Sequence, residues 1–235
     1  MDHSKDQKHG AAVGEVPLLR DTAGAPVGHF HVGRQVGGRP VAVSSWRITT
    51  GDRDVADALA GLYGGQPGLT GEGAGRGYEV LTRGESVSVV LTGGQPVAVR
   101  MVMRAAGEVF HVCDGVNLLD STGAEGGPCG CPATVEERKA AARAGRGPVP
   151  EVRLRFRLAG LPDVGIFQLV STSWELLESL PSAERVMHGT SVDCVLSYQL
   201  VEFTTGSGIL VSYRRPVLEV KGRRVGRRGD VCLVA

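Results

Sequence analysis

Glycine punctuates this chain so densely that long unbroken elements have little room, and this constrains the fold before anything else. Of 235 residues, 35 are glycine. Between the glycine-bearing turns stand short runs in which apolar and polar residues alternate, the period of a half-buried strand. Such runs cover residues 29–32, 40–50, 78–82, 86–91, 97–103 and 108–112, then 151–158, 166–170, 192–203 and 209–220. Two hairpin turns are legible, Thr92-Gly93-Gly94-Gln95 and Thr205-Gly206-Ser207-Gly208, because glycine supplies positive φ without steric cost. Strands this short, this closely spaced, imply an antiparallel meander. Pro216 inside the last run marks an edge or a bulge. Residues 64–77 hold seven glycines and one proline and read as a loop.

Three helices interrupt the strands. Asp54 is a candidate cap for one that carries Val55, Ala58, Leu59 and Leu62 at helical spacing. Thr134-Val135-Glu136-Glu137 has capping-box spacing and leads a basic helix with Arg138, Lys139, Arg143 and, beyond it, Arg146. Thr172 to Glu175 repeats that spacing ahead of Trp174, Leu177 and Leu180, and Pro181 should kink or end the run. The expected class is therefore α+β: short antiparallel strands in two sheet blocks, about three helices, and a Cys-rich knuckle between the blocks. Residues 1–27 read as a disordered arm. Residues 28–220 form the α+β domain, with sub-blocks 28–112 and 151–220 joined by the knuckle and basic helix of 113–150. Residues 221–235 are a basic tail.

Bulk properties exclude several functions. Twenty-six basic against 25 acidic residues give a net charge of +1, so any polyanion contact must come from local clustering. Aromatics are only 5%, too few for a row of stacking platforms on single strands. No run of about 18 apolar residues exists to span a membrane, and residues 1–14 lack the apolar centre of a secretion signal. Five cysteines, an odd count with three close together, argue against a secreted disulfide scaffold and for a reducing cytoplasm. No Gly-x-Ser-x-Gly elbow, His-Glu-x-x-His helix or P-loop is present, so the chain is expected to bind rather than catalyse.

The sharpest local feature is His111-Val112-Cys113 followed by Cys129-Gly130-Cys131-Pro132. Clustered thiolates favour a borderline metal such as zinc, and glycine between two cysteines lets both sulfurs reach one ion. Cys113, Cys129 and Cys131 with His111 would close a tetrahedral structural site; the alternative is three free thiols in a tight turn. Cys194 and Cys232 lie in apolar runs and read as packing residues.

Two basic features are candidates for partner contact. Arg153, Arg155 and Arg157 alternate with Val152, Leu154 and Phe156, which sets three guanidinium groups about 6–7 Å apart on one sheet face. Arg214, Arg215, Lys221, Arg223, Arg224, Arg227 and Arg228 cluster toward the C-terminus. Each group suits phosphates or an acidic protein surface; the alternative in each case is an ordinary solvated face.

The segment Phe110 to Gly115, the Pro128 to Pro132 knuckle and the helix Glu136 to Gly147 together resemble a known group. Val43 to Arg47, Ser173 to Leu176 and the hairpin Val201–Thr205 to Ser212–Pro216 extend the resemblance to roughly residues 36–220. The group is the recombination directionality factors of actinophage large serine integrases, with related actinobacterial proteins. The resemblance implies a protein that binds its integrase on DNA and replaces integration by excision, cutting nothing itself and contacting DNA indirectly. In some members a further cysteine follows the basic helix; here that place reads Arg146-Gly147-Pro148, which leaves His111 or water as the nearby substitute. A DNA-binding or replication-associated phage protein using the basic tail is the competing reading. A metalloenzyme built on the knuckle is a third, and it would need an open coordination position and a general base.

Overall fold

A computed structural model describes residues 24–36, 39–41, 43–70, 77–92, 96–119, 126–187 and 190–224. Most of the expected N-terminal arm, the turn at 93–95, and Arg227, Arg228 and Cys232 lie outside the described residues.

Thirteen strands and three helices are found among the described residues. In chain order they are β1 (Gly28–His31), β2 (Arg34–Val36), β3 (Arg39–Val41), β4 (Arg47–Thr50), α1 (Arg53–Tyr63), β5 (Gly68–Thr70), β6 (Gly77–Leu81), β7 (Ser86–Leu91), β8 (Val97–Ala105) and β9 (Glu108–Cys113). After the knuckle come α2 (Val135–Arg143), β10 (Val149–Leu158), β11 (Phe167–Ser171), α3 (Trp174–Met187), β12 (Val192–Thr204) and β13 (Leu210–Arg223). The class is α+β and the pairing is antiparallel except for β1 with β11.

Eleven strands share one sheet in the order β13-β12-β7-β10-β11-β1-β4-β6-β5, with β8 and β9 branching from β10. One edge of β10 is divided: residues Val149 to Leu154 pair with β8, and Arg157 and Leu158 pair with β7. Strands from before and after the knuckle thus interleave, since β7 lies between β10 and β12 and β1 lies against β11.

Local chemistry explains the elements and their departures from expectation. The run 40–50 is two strands, β3 and β4, because the chain bends at Ser44 and Ser45 and turns Trp46 fully into the core. Asp52, not Asp54, caps α1: its extended backbone lets the carboxylate accept from the amides of Asp54 and Val55. The glycine loop contains β5, which pairs with β6. Ser173 caps α3 through a 3.2 Å bond from the Leu176 amide, so the capping register starts one residue after Thr172. Pro181 does not end α3; it sits on the exposed side while Leu176, Leu180 and Ala183 anchor both flanks in the core. Pro216 lies on β13, the terminal strand of the order, where a missing amide donor is tolerated. A bulge falls instead at Asp193 and Cys194.

The core forms where α1 and α3 meet the sheet. Phe30 packs edge-on against Trp46, Phe156 and Phe167, with ring centres 5.6, 5.1 and 5.9 Å away, and Trp46 lies against Tyr198 at 5.2 Å. Each such side chain contributes about 1.5–3 kcal/mol by leaving water. Trp46 also donates from Nε1 to the Glu85 carbonyl at 3.0 Å, so its one polar atom is satisfied. Cys194 is buried in this core, as its apolar run predicts, and burial pushes its thiol up to about 11.

Candidate metal centre

The β8–β9 hairpin delivers the first two candidate ligands. It turns on Ala106 and Gly107, at φ +50° and +88°, the two left-handed positions of a tight turn that matches strand twist. Met103 pairs with His111, but Arg104 pairs with Val109, so Phe110 is the extra residue of a bulge and is 57% exposed. Beyond the bulge, His111 and Cys113 stand two residues apart and point to the same side of β9.

The chain then folds back on itself. The Asp114 carboxylate accepts from the amides of Val116 and Asn117 at 2.7 Å each, which closes the turn and holds that carboxyl below its usual range. The returning arm pairs through Leu118 to the Gly127 carbonyl and Cys129 to the Val116 carbonyl, both at 2.8 Å. Gly130, at φ +69°, then brings Cys131 round beside Cys129.

The result is one cluster. The ligand atoms of His111, Cys113, Cys129 and Cys131 all lie within 4.8 Å of one another. Cys113 Sγ is 3.7 Å from Cys131 Sγ, and Cys131 Sγ is 3.3 Å from His111 Nε2. A tetrahedral zinc with bonds of about 2.3 Å to sulfur separates two sulfurs by about 3.8 Å, so the thiols already stand at the edge length of such a site. That distance is far from the roughly 2.05 Å of a disulfide, and all three are free thiols. The group could hold a metal ion, and its members are the four residues that the spacing singled out.

Electrostatics within the cluster are uneven. Burial pushes the Cys113 thiol up to about 12, with the neighbouring thiols adding to it and the Gly115 amide opposing. Burial also raises Cys131. At Cys129 burial works the same way, but the Cys131 amide, the adjacent thiols and the Arg138 guanidinium outweigh it and hold this thiol below its ordinary value. A cation entering the cluster must displace protons, which makes its binding pH-dependent. Four protein donors on one ion would fill a tetrahedral shell, the closed arrangement of a structural site.

A family model described as Gp3-like, recombination directionality factor-like, matches residues 27–208. The chain belongs to this family. No solved structure matches it. For this family member the matched segment contains the whole ligand cluster and the Arg153–Arg157 ladder, and it stops before β13.

The ladder does not present three open guanidinium groups. Arg155 is only 6% exposed and donates to the Gly24 carbonyl. Arg157 donates to the Pro162 carbonyl at 2.8 Å. Glu151, on the same face, is also buried and accepts from Arg100 at 2.7 Å and Arg104 at 2.9 Å. In the C-terminal cluster, Arg214 pairs with Glu85 at 2.6 Å and lies over the Tyr198 ring, and Arg215 reaches Glu175 at 3.7 Å. Arg223 and Arg224 are exposed, the first on the Val186 carbonyl and the second 3.5 Å from Asp193. Lys221 and Arg223 belong to β13 rather than to a tail.

Apolar exposure is the surface feature that sequence reading missed. Beyond Ser197, β12 pairs with β13 alone, and this projecting ribbon places Val201 opposite Tyr213 and Phe203 opposite Val211 on one face. Phe203 is 47% and Tyr213 41% exposed. The available signal was length: both strands outrun β7, and among the described residues no further strand pairs with the part that projects. No helix among the described residues is long and apolar enough to cross a membrane.

Proposed function

We propose that this protein is a recombination directionality factor that binds a phage-encoded large serine integrase on attachment-site DNA and switches it from attP × attB integration to attL × attR excision. The observation that carries this reading is the family match over residues 27–208. It acts by binding, in the cytoplasm of the bacterial host, and the integrase does all the strand exchange. Support for a protein partner comes from the exposed apolar face of the β12–β13 ribbon, of a kind that marks interaction surfaces. Arg153, Arg157, Arg223 and Arg224 are the sheet and edge cations proposed to meet that partner's acidic groups; Arg155, Arg214 and Arg215 support the surface from within. Arg227 and Arg228 extend the same basic run.

Direction must change through differential affinity, because a factor that bound every synaptic arrangement equally would shift nothing. Moving a 1:99 preference to 99:1 takes about 5.5 kcal/mol, which a modest interface supplies if it forms in one arrangement only. Structural zinc on His111, Cys113, Cys129 and Cys131 is part of the proposal; it would staple the knuckle and present no open position for substrate.

The test is reconstituted recombination with a cognate serine integrase, on attL with attR and separately on attP with attB. The protein should switch on the first reaction and suppress the second. If both reactions run unchanged with folded proteins, the role is wrong, and steeply salt-dependent binding to bare DNA would favour the DNA-binding alternative.

A further inference from the structure

Arg138 stands on the basic helix α2, yet its guanidinium turns into the knuckle. Nε donates to the Pro132 carbonyl at 2.6 Å, and Nη2 donates to the carbonyls of Gly115 at 2.8 Å and Ala133 at 3.0 Å. Gly115 follows Cys113 by two residues, and Pro132 follows Cys131 directly. One planar fork therefore bridges the two arms that carry the three thiols. The approach depends on glycine: Gly115 sits at φ +98°, and a Cβ there would lie 2.7 Å from Arg138 Nη1.

The helix that projects this fork is itself anchored. Thr134 and Glu137 close a full capping box at its start. Lys139, the next residue, pairs with Glu178 of α3 and lies 6.0 Å from the centre of the Trp174 ring. The charge also fits. Three thiolates and a neutral imidazole around a divalent ion leave one net negative charge, and Arg138 brings one positive charge to the same place.

We propose that Arg138 is the positioning residue of the metal centre: its fork fixes the Gly115 and Pro132 arms so that the donor atoms converge, and its charge offsets the surplus thiolate. This rests on the metal reading of the knuckle. Outer-shell partners of metal ligands typically carry about 10- to 100-fold of the metal affinity.

Zinc is the probe, and its affinity is read on the full chain by competition with a chromophoric chelator, alongside the absorption of the cobalt(II) form. Arg138→Ala should lose about 10- to 100-fold in zinc affinity while the metal-free protein melts as wild type does. Arg138→Lys restores the charge without the fork, so it should recover only part of the loss. Arg143→Ala, which removes an exposed cation from the same helix, should bind zinc normally. Should Arg138→Ala fail to fold, Arg138→Gln and Gly115→Ala displace the fork by other routes and should show the same loss. Wild-type affinity in the Arg138 variants, or full recovery with lysine, overturns the clamp. A folded wild type that takes up no zinc defeats the metal reading itself, a different result, and the clamp falls with it.

Discussion

Removing zinc from the proposed knuckle site should loosen the knuckle and leave the sheet intact. The reason lies in where the buried apolar groups are. The main core is built from β1, β4, β6, β7, β10–β13, α1 and α3 with Trp46, and among the described residues it contains none between Cys113 and Thr134. Within the knuckle Cys113 is fully buried, but Val116 is 67% exposed. The arms are held by backbone hydrogen bonds, by the Arg138 fork and, on the metal reading, by the ion. Fifteen residues separate Cys113 from Cys129, and a cross-link closing a loop of that size constrains the open chain by about 3 kcal/mol. That converts to a factor of about 100 or more in local opening. Hydrogen exchange by mass spectrometry on zinc-loaded and chelator-stripped protein reads this directly. Peptides covering 114–119 and 126–133 should exchange about 100-fold faster after stripping, while those covering β10 and β12 change by less than about twofold. Unchanged exchange in the knuckle, or loss of protection across β10, would refute the reasoning.

Trp46→Phe removes part of a fully buried ring and leaves the Glu85 carbonyl without its indole donor, so urea unfolding should show a loss of about 2–4 kcal/mol; a loss below 1 would count against the packing described. Ala106 holds a left-handed conformation that glycine adopts freely, so Ala106→Gly should raise stability by about 0.5–1 kcal/mol in the same assay, and a destabilised variant would show the turn is otherwise built. His31, half-buried beside Arg47 and His29 with Glu79 in opposition, is lowered to about 4, desolvation being the largest cause. The fold therefore favours neutral His31. This contribution is complete above pH 6.5 and drains as pH falls toward 4, by about 1–2 kcal/mol once its solvent contact is allowed for. His31→Gln should flatten that acid slope, and an unchanged slope would assign it elsewhere. Arg223→Ala with Arg224→Ala should change stability by under about 1 kcal/mol, because both side chains are exposed, while binding to the proposed partner, an integrase–DNA complex, should weaken and become less salt-sensitive; unchanged binding at low salt would remove these residues from the proposed interface.

Much was legible because it is local. The strand runs, the Thr134–Glu137 capping box and the His-x-Cys and Cys-Gly-Cys spacings depend on residues within a few positions of one another, where periodicity and side-chain reach decide the outcome. The ligand cluster followed from the same logic once the arms closed. The shift of the first cap to Asp52 and the division of run 40–50 are failures of one or two residues, set by the burial of Trp46 and the entry of α1.

What the sequence alone determined is the class, most of the strand and helix runs in their order, and the His/Cys residues that the fold brings together; β2 and β5 escaped it. Only the tertiary structure decided the rest. Alternation gives β10 an arginine face, but whether that face is open depends on Gly24, 131 residues away, whose carbonyl takes the Arg155 donor. Basic residues on α2 look alike in sequence, yet Arg138 turns to the knuckle and Lys139 to α3 because those neighbours are built from other parts of the chain. The interleaving of β7 between β10 and β12, and the length by which β12 and β13 outrun it, follow from long-range pairing. Exposure is a property of what covers a residue, and covering groups come from distant sequence; that is the physical reason a local pattern names the His/Cys cluster but not the surface.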